Sequence, residues 1–226
     1  MLRSVFRLSA AALFLLAASA SAQPSGSALL EGKVPAAVIL AHGIGGGPDA
    51  KVVGPLRQAI RDELGFYTLS LQMPVLPGKD FRAYPPVFPE AYRTIQAAID
   101  FLAKEKGVKR IYLLGYSMGA RMTSAFLGGE PHPEVVGYIG VGLLEGGGEP
   151  LDANQNIRRI QLPIIDVYAD NTPLDLKSAE NRKALVSASY RQLRIEGAEH
   201  SFGGYDAKLA QGIIAWLKDQ EQQAGH

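Results

Sequence analysis

The chain has 226 residues with 23 Lys and Arg against 22 Asp and Glu, four histidines and no cysteine. That balance leaves no electrostatic footprint for a nucleic-acid partner. The missing cysteines exclude disulfides, thiolate metal sites and a cysteine nucleophile. In chain order, the first segment, MLRSVFRLSAAALFLLAASASAQ, carries Arg3 and Arg7, an apolar run from Leu8 to Ala18, and the small residues Ala20, Ser21 and Ala22. This is the pattern of a signal peptide over residues 1–22, with cleavage expected between Ala22 and Gln23. The apolar run is shorter than the roughly 20 residues a spanning helix needs. The expectation is therefore an exported, periplasmic or secreted chain with no integral span after cleavage.

Residues 23–33 are rich in Ser and Gly and are expected to be a loose lead-in to one domain over 34–226. From there two patterns alternate. Short stretches at 36–42, 66–72, 110–116, 135–143, 163–170 and 190–197 read as six strands, most of them apolar runs. Between them, helical spacing predicts helices over 52–64, 90–107, 117–129 and 206–223, with a weaker one from Leu174 to Val186. Apolar strands alternating with helices predict an α/β fold, a mostly parallel sheet of six or more strands covered on both faces. Two stretches, 73–89 and 144–160, resist regular assignment. Both start at carboxyl ends of strands, where open parallel sheets bind ligands.

The motif GYSMG at 115–119 joins a strand pattern directly to a helix pattern. Such a sharp turn forces Ser117 into a strained conformation, and glycines two residues to either side remove side chains that would collide there. A serine hydroxyl becomes a nucleophile only when a base takes its proton. His226 ends the chain, His132 sits between two prolines, and His42 closes the first strand. His200, in the turn EGAEHSFGG after the last strand, is the best-placed base. Downstream of Ser117, Asp166, Asp170, Asp175 and Glu145 are the carboxylates weighed as its partner, and Asp166 lies inside a strand pattern.

The strand followed by His42-Gly43, the GYSMG elbow and the GAEHSF turn, in that order, resemble the α/β-hydrolase superfamily. The resemblance spans 36–216. SLQMPVLPG (70–78) and IIDVYAD (164–170) also resemble a bacterial family of exported, largely uncharacterised α/β-hydrolase-like proteins. The resemblance implies a minimal fold without a large lid domain. It also implies a Ser, acid, His triad working on esters or related acyl compounds, with no metal or cofactor. The family's usual position for the acid falls here on Thr172. Asp170 is the acid expected in its place, with Asp175 and Glu145 as alternatives. The resemblance further implies an oxyanion hole made by the backbone N–H groups of Met118 and Ile44.

The four glycines of AHGIGGG (41–47) therefore read as freedom for that loop. A phosphate cradle is disfavoured, because Pro48 stands where a dinucleotide fingerprint needs its third glycine and no Gly-Lys-Ser/Thr follows. His42 is expected to brace the loop, and Arg121 to be ion-paired or solvated. The expected function is an exported serine hydrolase, esterase-like, taking a small acyl substrate. The competing expectation is a non-catalytic relative that binds a ligand or a cell-envelope partner.

Overall fold

The computed structural model describes residues 21–130 and 132–225. The expected leader, 1–22, falls almost wholly outside them, as does His226. Seven strands and six helices follow in order: β1 (Ala28–Leu30), β2 (Ala36–Ala41), α1 (Val53–Leu64), β3 (Tyr67–Leu71), α2 (Phe88–Glu105), β4 (Arg110–Tyr116), α3 (Met118–Leu127), β5 (Val135–Val141), α4 (Ala153–Ile157), β6 (Ile164–Ala169), α5 (Pro173–Arg182), β7 (Tyr190–Ile195) and α6 (Asp206–Ala224). The sheet order is β1-β3-β2-β4-β5-β6-β7. All pairs are parallel except β1 with β3.

Strand side chains alternate between faces, and each face is covered. In β2, Val38 and Leu40 enter one core with Leu56 and Ile60 of α1 and Leu209, Ile213 and Trp216 of α6. Ile39 and Ala41 enter the other, with Ile95, Ile99 and Leu102 of α2 and Met122 of α3. This two-sided burial is why a strand such as β2 reads as an unbroken apolar run. Because six strands run the same way, the ends of β2, β4, β6 and β7 open on one rim of the sheet. No insertion between strands builds a lid domain among the described residues.

Two expectations are corrected here. The lead-in at 23–33 is not wholly loose. Its three residues Ala28 to Leu30 pair antiparallel with β3, Leu29 facing Leu69, and extend the sheet by one strand. The stretch 144–160 is not wholly irregular either. It contains α4, capped by the Asp152 side chain, which accepts from the Asn154 and Gln155 N–H groups. Both elements are too short for periodicity to reveal.

Candidate active site

Ser117 is the single residue between β4 and α3. Its φ of 54° and ψ of −113° are rare for a side-chain-bearing residue and cost about 1–3 kcal/mol. The neighbouring glycines make the turn sterically possible. A Cβ on Gly115 would stand 2.3 Å from Thr123 Oγ1 and 2.5 Å from Ala120 Cα. One on Gly119 would stand 2.2 Å from the Ala41 carbonyl oxygen, in the backbone of the adjacent strand. The Ser117 N–H donates to Val141 O at 2.9 Å, tying the turn to β5.

His200 faces the serine. Its Nε2 lies 2.9 Å from Ser117 Oγ, and its Nδ1 lies 2.9 and 3.0 Å from the two oxygens of Asp175. A neutral ring with its proton on Nδ1 donates to Asp175 and leaves Nε2 free to accept from the serine hydroxyl. Asp175 is 1% exposed and His200 29%, so the histidine reaches solvent while its carboxylate does not. Three further groups fix the ring. The His200 N–H donates to Thr172 Oγ1 at 2.8 Å. Tyr116 stacks on the imidazole with ring centroids 5.7 Å apart and donates its hydroxyl to His200 O at 3.1 Å. Gly142, at φ +61°, leaves room for the ring, since a Cβ there would come within 2.9 Å of His200 Cε1. Burial, with the Asp175 carboxylate adding to it, pushes the Tyr116 hydroxyl up to about 12, so it remains a neutral donor.

The expected acid, Asp170, is elsewhere. It follows β6, and its carboxylate accepts from Arg194 Nε at 2.6 Å and from the Gly197 N–H at 2.7 Å. Desolvation works against its ionisation, but the Arg194 and Gly197 hydrogen bonds and the Arg194 charge outweigh it and lower its pKa. Both oxygens are thus spent on β7 and the turn after it. The carboxylate against His200 is Asp175, named in the sequence only as an alternative. The chain runs extended through Thr172 and Pro173 opens α5, so Asp175 projects from the first turn of a helix, where the helix dipole favours negative charge. Thr172, where the resemblance implies the acid, instead accepts from the His200 backbone N–H. Glu145 is not near the ring. It is held by the Asn154 and Asn181 amides at 3.2 and 2.7 Å, with Lys177 Nζ at 3.6 Å.

α5 is anchored from below by a buried ion pair. Arg182 donates through Nε and Nη2 to Asp166 at 3.0 and 2.9 Å, and through Nη1 to Asn154 Oδ1 at 2.6 Å and Leu143 O at 3.1 Å. Tyr190 and Gln192 complete the Asp166 shell at 2.7 and 3.0 Å. Asp166 inside β6 is therefore committed to the core, as its position in the strand pattern implied.

Ile44, Ser117 and Met118 line one cleft of about 380 Å³. Neither the Ile44 nor the Met118 N–H donates to a protein acceptor among the described residues. Met118 opens α3, where helix N–H groups have no intrahelical partner. His42 holds the Ile44 loop. Its Nδ1–H donates to Gly43 O at 2.8 Å and its Nε2 accepts from the Met73 N–H at 3.1 Å. Burial lowers the pKa of His42, partly offset by the Gly43 bond. Both ring nitrogens are thus occupied by backbone. Phe81, Lys79 and Arg82 bring the proline- and aromatic-rich stretch 73–89 into the cleft wall. Arg121 is buried, and its neighbours are carbonyls rather than a carboxylate. A slightly larger hollow of about 430 Å³, near His132 and Arg159 at the end of α3, contains none of these groups. Among the described residues no cluster of three or more His, Asp or Glu is placed to hold a metal, and no helix is long and apolar enough to cross a membrane.

No protein-family model and no curated protein sequence matches the chain. Solved structures do. An α/β serine hydrolase without a lid from Xanthomonas campestris superposes with a TM-score of 0.65 at 17% identity, over 87% of this chain and 95% of that one. Est1E from Butyrivibrio proteoclasticus, with ferulic acid bound, gives 0.67 at 15% identity over 87% and 95%. A dienelactone hydrolase from Anabaena variabilis gives 0.65 at 18% over 85% and 90%. Likeness at these identities is likeness of fold, and the chain has the fold of the α/β serine hydrolases.

Proposed function

We propose that the chain is a serine hydrolase that cleaves an ester or related acyl bond through an acyl-enzyme on Ser117. The observation that carries this reading is the continuous relay from Ser117 Oγ to His200 Nε2 and from His200 Nδ1 to Asp175, each link 2.9 Å, on a residue whose backbone is strained. Strain of this kind persists only where surrounding structure enforces it, and it clusters at active sites.

In this mechanism Ser117 Oγ attacks the acyl carbon while its proton passes to His200 Nε2. Asp175 holds the imidazole in the Nδ1–H tautomer and stabilises the imidazolium. The Ile44 and Met118 N–H groups receive the negative charge that develops on the carbonyl oxygen. The bond to the leaving group breaks, and His200 returns the proton to the departing oxygen. Water then attacks the acyl carbon, giving its proton to His200. The acid product leaves, and Ser117 regains its hydrogen. The open cleft and the ferulic acid bound to Est1E support a small ester as substrate. Residues 1–22 support export with cleavage after Ala22, which the N-terminal mass of secreted material checks. A non-catalytic relative would be favoured by a His200 without a carboxylate partner. With Asp175 against His200, no specific observation favours it.

Short 4-nitrophenyl esters test the reading. The expected result is turnover with a burst of one nitrophenolate per chain, lost in Ser117→Ala. Well-folded protein with no turnover and no burst overturns it.

A further inference from the structure

The cleft beside Ser117 is lined by three cations, Lys79, Arg82 and Arg121. None of them forms an ion pair among the described residues. The single carboxylate in the lining is Glu145, and Asn154, Asn181 and Lys177 already engage it. Arg121 is the most constrained of the three. It is 3% exposed and donates to the carbonyls of Gly146 at 2.8 Å, Glu145 at 3.2 Å and Leu151. The carboxylate whose charge acts on it, Asp152, is occupied in capping α4.

One role of Arg121 is structural. It gathers the carbonyls of a loop in which Gly146, Gly147 and Gly148 all have positive φ. That role needs donors but not a second and third cation. Yet Arg121 and Arg82 each place their guanidinium carbon 4.7 Å from the centroid of the Phe81 ring. Lys79 stands two residues before that ring. A buried cation held by carbonyls keeps part of its field, because the two carboxylates around it, Asp152 and Glu145, are engaged by other donors and water is excluded. Burial lowers Arg121 to about 10, which leaves it charged at neutral pH.

We infer that the cleft takes an acyl compound bearing a carboxylate, with the scissile carbonyl at Ser117 and the carboxylate seated against Arg82 and Lys79 in the field of Arg121. This rests on the serine hydrolase reading, and it narrows the substrate from small esters to anionic ones. Guanidinium and ammonium donors suit a carboxylate by charge-assisted hydrogen bonds.

The test compares two esters of the same length, the 4-nitrophenyl monoester of adipic acid and 4-nitrophenyl hexanoate. After correction for their rates in buffer, the adipate ester is expected to show a kcat/KM about tenfold or more above the hexanoate, as a charged hydrogen bond in a partly dry site would give. The advantage should shrink as salt rises. The double variant Lys79→Gln/Arg82→Gln, at two exposed positions, should bring the ratio close to one. Lys208→Gln, on α6 outside the cleft, should leave the ratio as it is. Equal use of both esters by the wild type, or a ratio that survives the double variant, overturns the inference while leaving the hydrolase reading intact. If neither ester turns over, the hydrolase reading fails. The anion site is then decided by calorimetric binding of phenyl hemiadipate to Ser117→Ala, where loss of binding in the double variant supports it and no binding at all refutes it.

Discussion

Two turns on the same rim of the sheet carry the two ends of the relay, and they are built on different principles. Between β4 and α3 there is one residue, Ser117, and the backbone itself dictates its neighbours. Gly115 and Gly119 face atoms that no side chain can share space with. Between β6 and α5 there are three residues, and the carboxylate that meets His200 comes from inside the helix. There the backbone makes no comparable demand. Asp170 and Asp175 are both within a few residues of the strand end, and only tertiary contacts sort them, Arg194 and Gly197 taking one and His200 the other. A site fixed by backbone geometry is local in sequence, whereas a site fixed by side-chain reach is not.

Breaking the relay at its two ends should separate these cases most strongly. Ser117→Ala is expected to lower kcat by about a million-fold. Asp175→Asn should lower it by about ten-thousand-fold, since the amide favours the wrong imidazole tautomer. Both variants should unfold close to the wild-type temperature, read by circular dichroism.

Arg182→Met tests the support beneath the second turn. It leaves Asp166 buried without its cation, a loss of about 3–5 kcal/mol in denaturant unfolding. Because Arg182 ends the helix that carries Asp175, kcat on a neutral ester should fall in the surviving folded protein as well. A variant as stable as wild type would mean that the pair does not anchor α5.

Asp170→Asn sharpens the contrast with its neighbour. Asn keeps an oxygen for the Gly197 N–H, and the Arg194 partner is largely exposed, so turnover should stay within about threefold of wild type, as for a surface ion pair. A loss comparable to that of Asp175→Asn would return the acid's role to Asp170.

The smallest effect concerns pH. His42 is held neutral, its pKa lowered from 6.5 by burial. Below that value the unfolded chain binds a proton that the folded chain resists. The stability from neutral His42 is therefore complete above pH 6.5 and shrinks as pH falls below it. Melting temperatures of wild type and His42→Gln between pH 7 and pH 5 should show the steeper fall in wild type.

Much of this was legible in the residues alone. Strands such as β2 and β5 announced themselves because burial on both faces makes each a continuous apolar run, whereas β7, at the sheet edge with Arg191 and Arg194 exposed, did so less clearly. β1 did not, because three residues paired at an edge carry no period. Ser117 and His200 were singled out by GYSMG and by the position of His200 after the last strand, and the fold sets them 2.9 Å apart. The carboxylate that faces His200 is Asp175 rather than the expected Asp170, because counting from a strand end assumes a loop of fixed course. Here Thr172-Pro173 starts α5 at once and lifts Asp175 into place. Proline opening a helix with an acidic residue in its first turn was the available signal. The cationic lining of the cleft had no signal of its own, since Lys79, Arg82 and Arg121 meet only in the fold.

The most direct measurement is reaction of the folded protein with diisopropyl fluorophosphate, followed by intact-mass and peptide mass spectrometry. One adduct per chain, on the peptide containing Ser117, is expected in the wild type. Ser117→Ala should show none, and Asp175→Asn a much slower reaction. A wild-type protein with a sharp melting transition and no adduct, or an adduct on a different serine, would contradict the account.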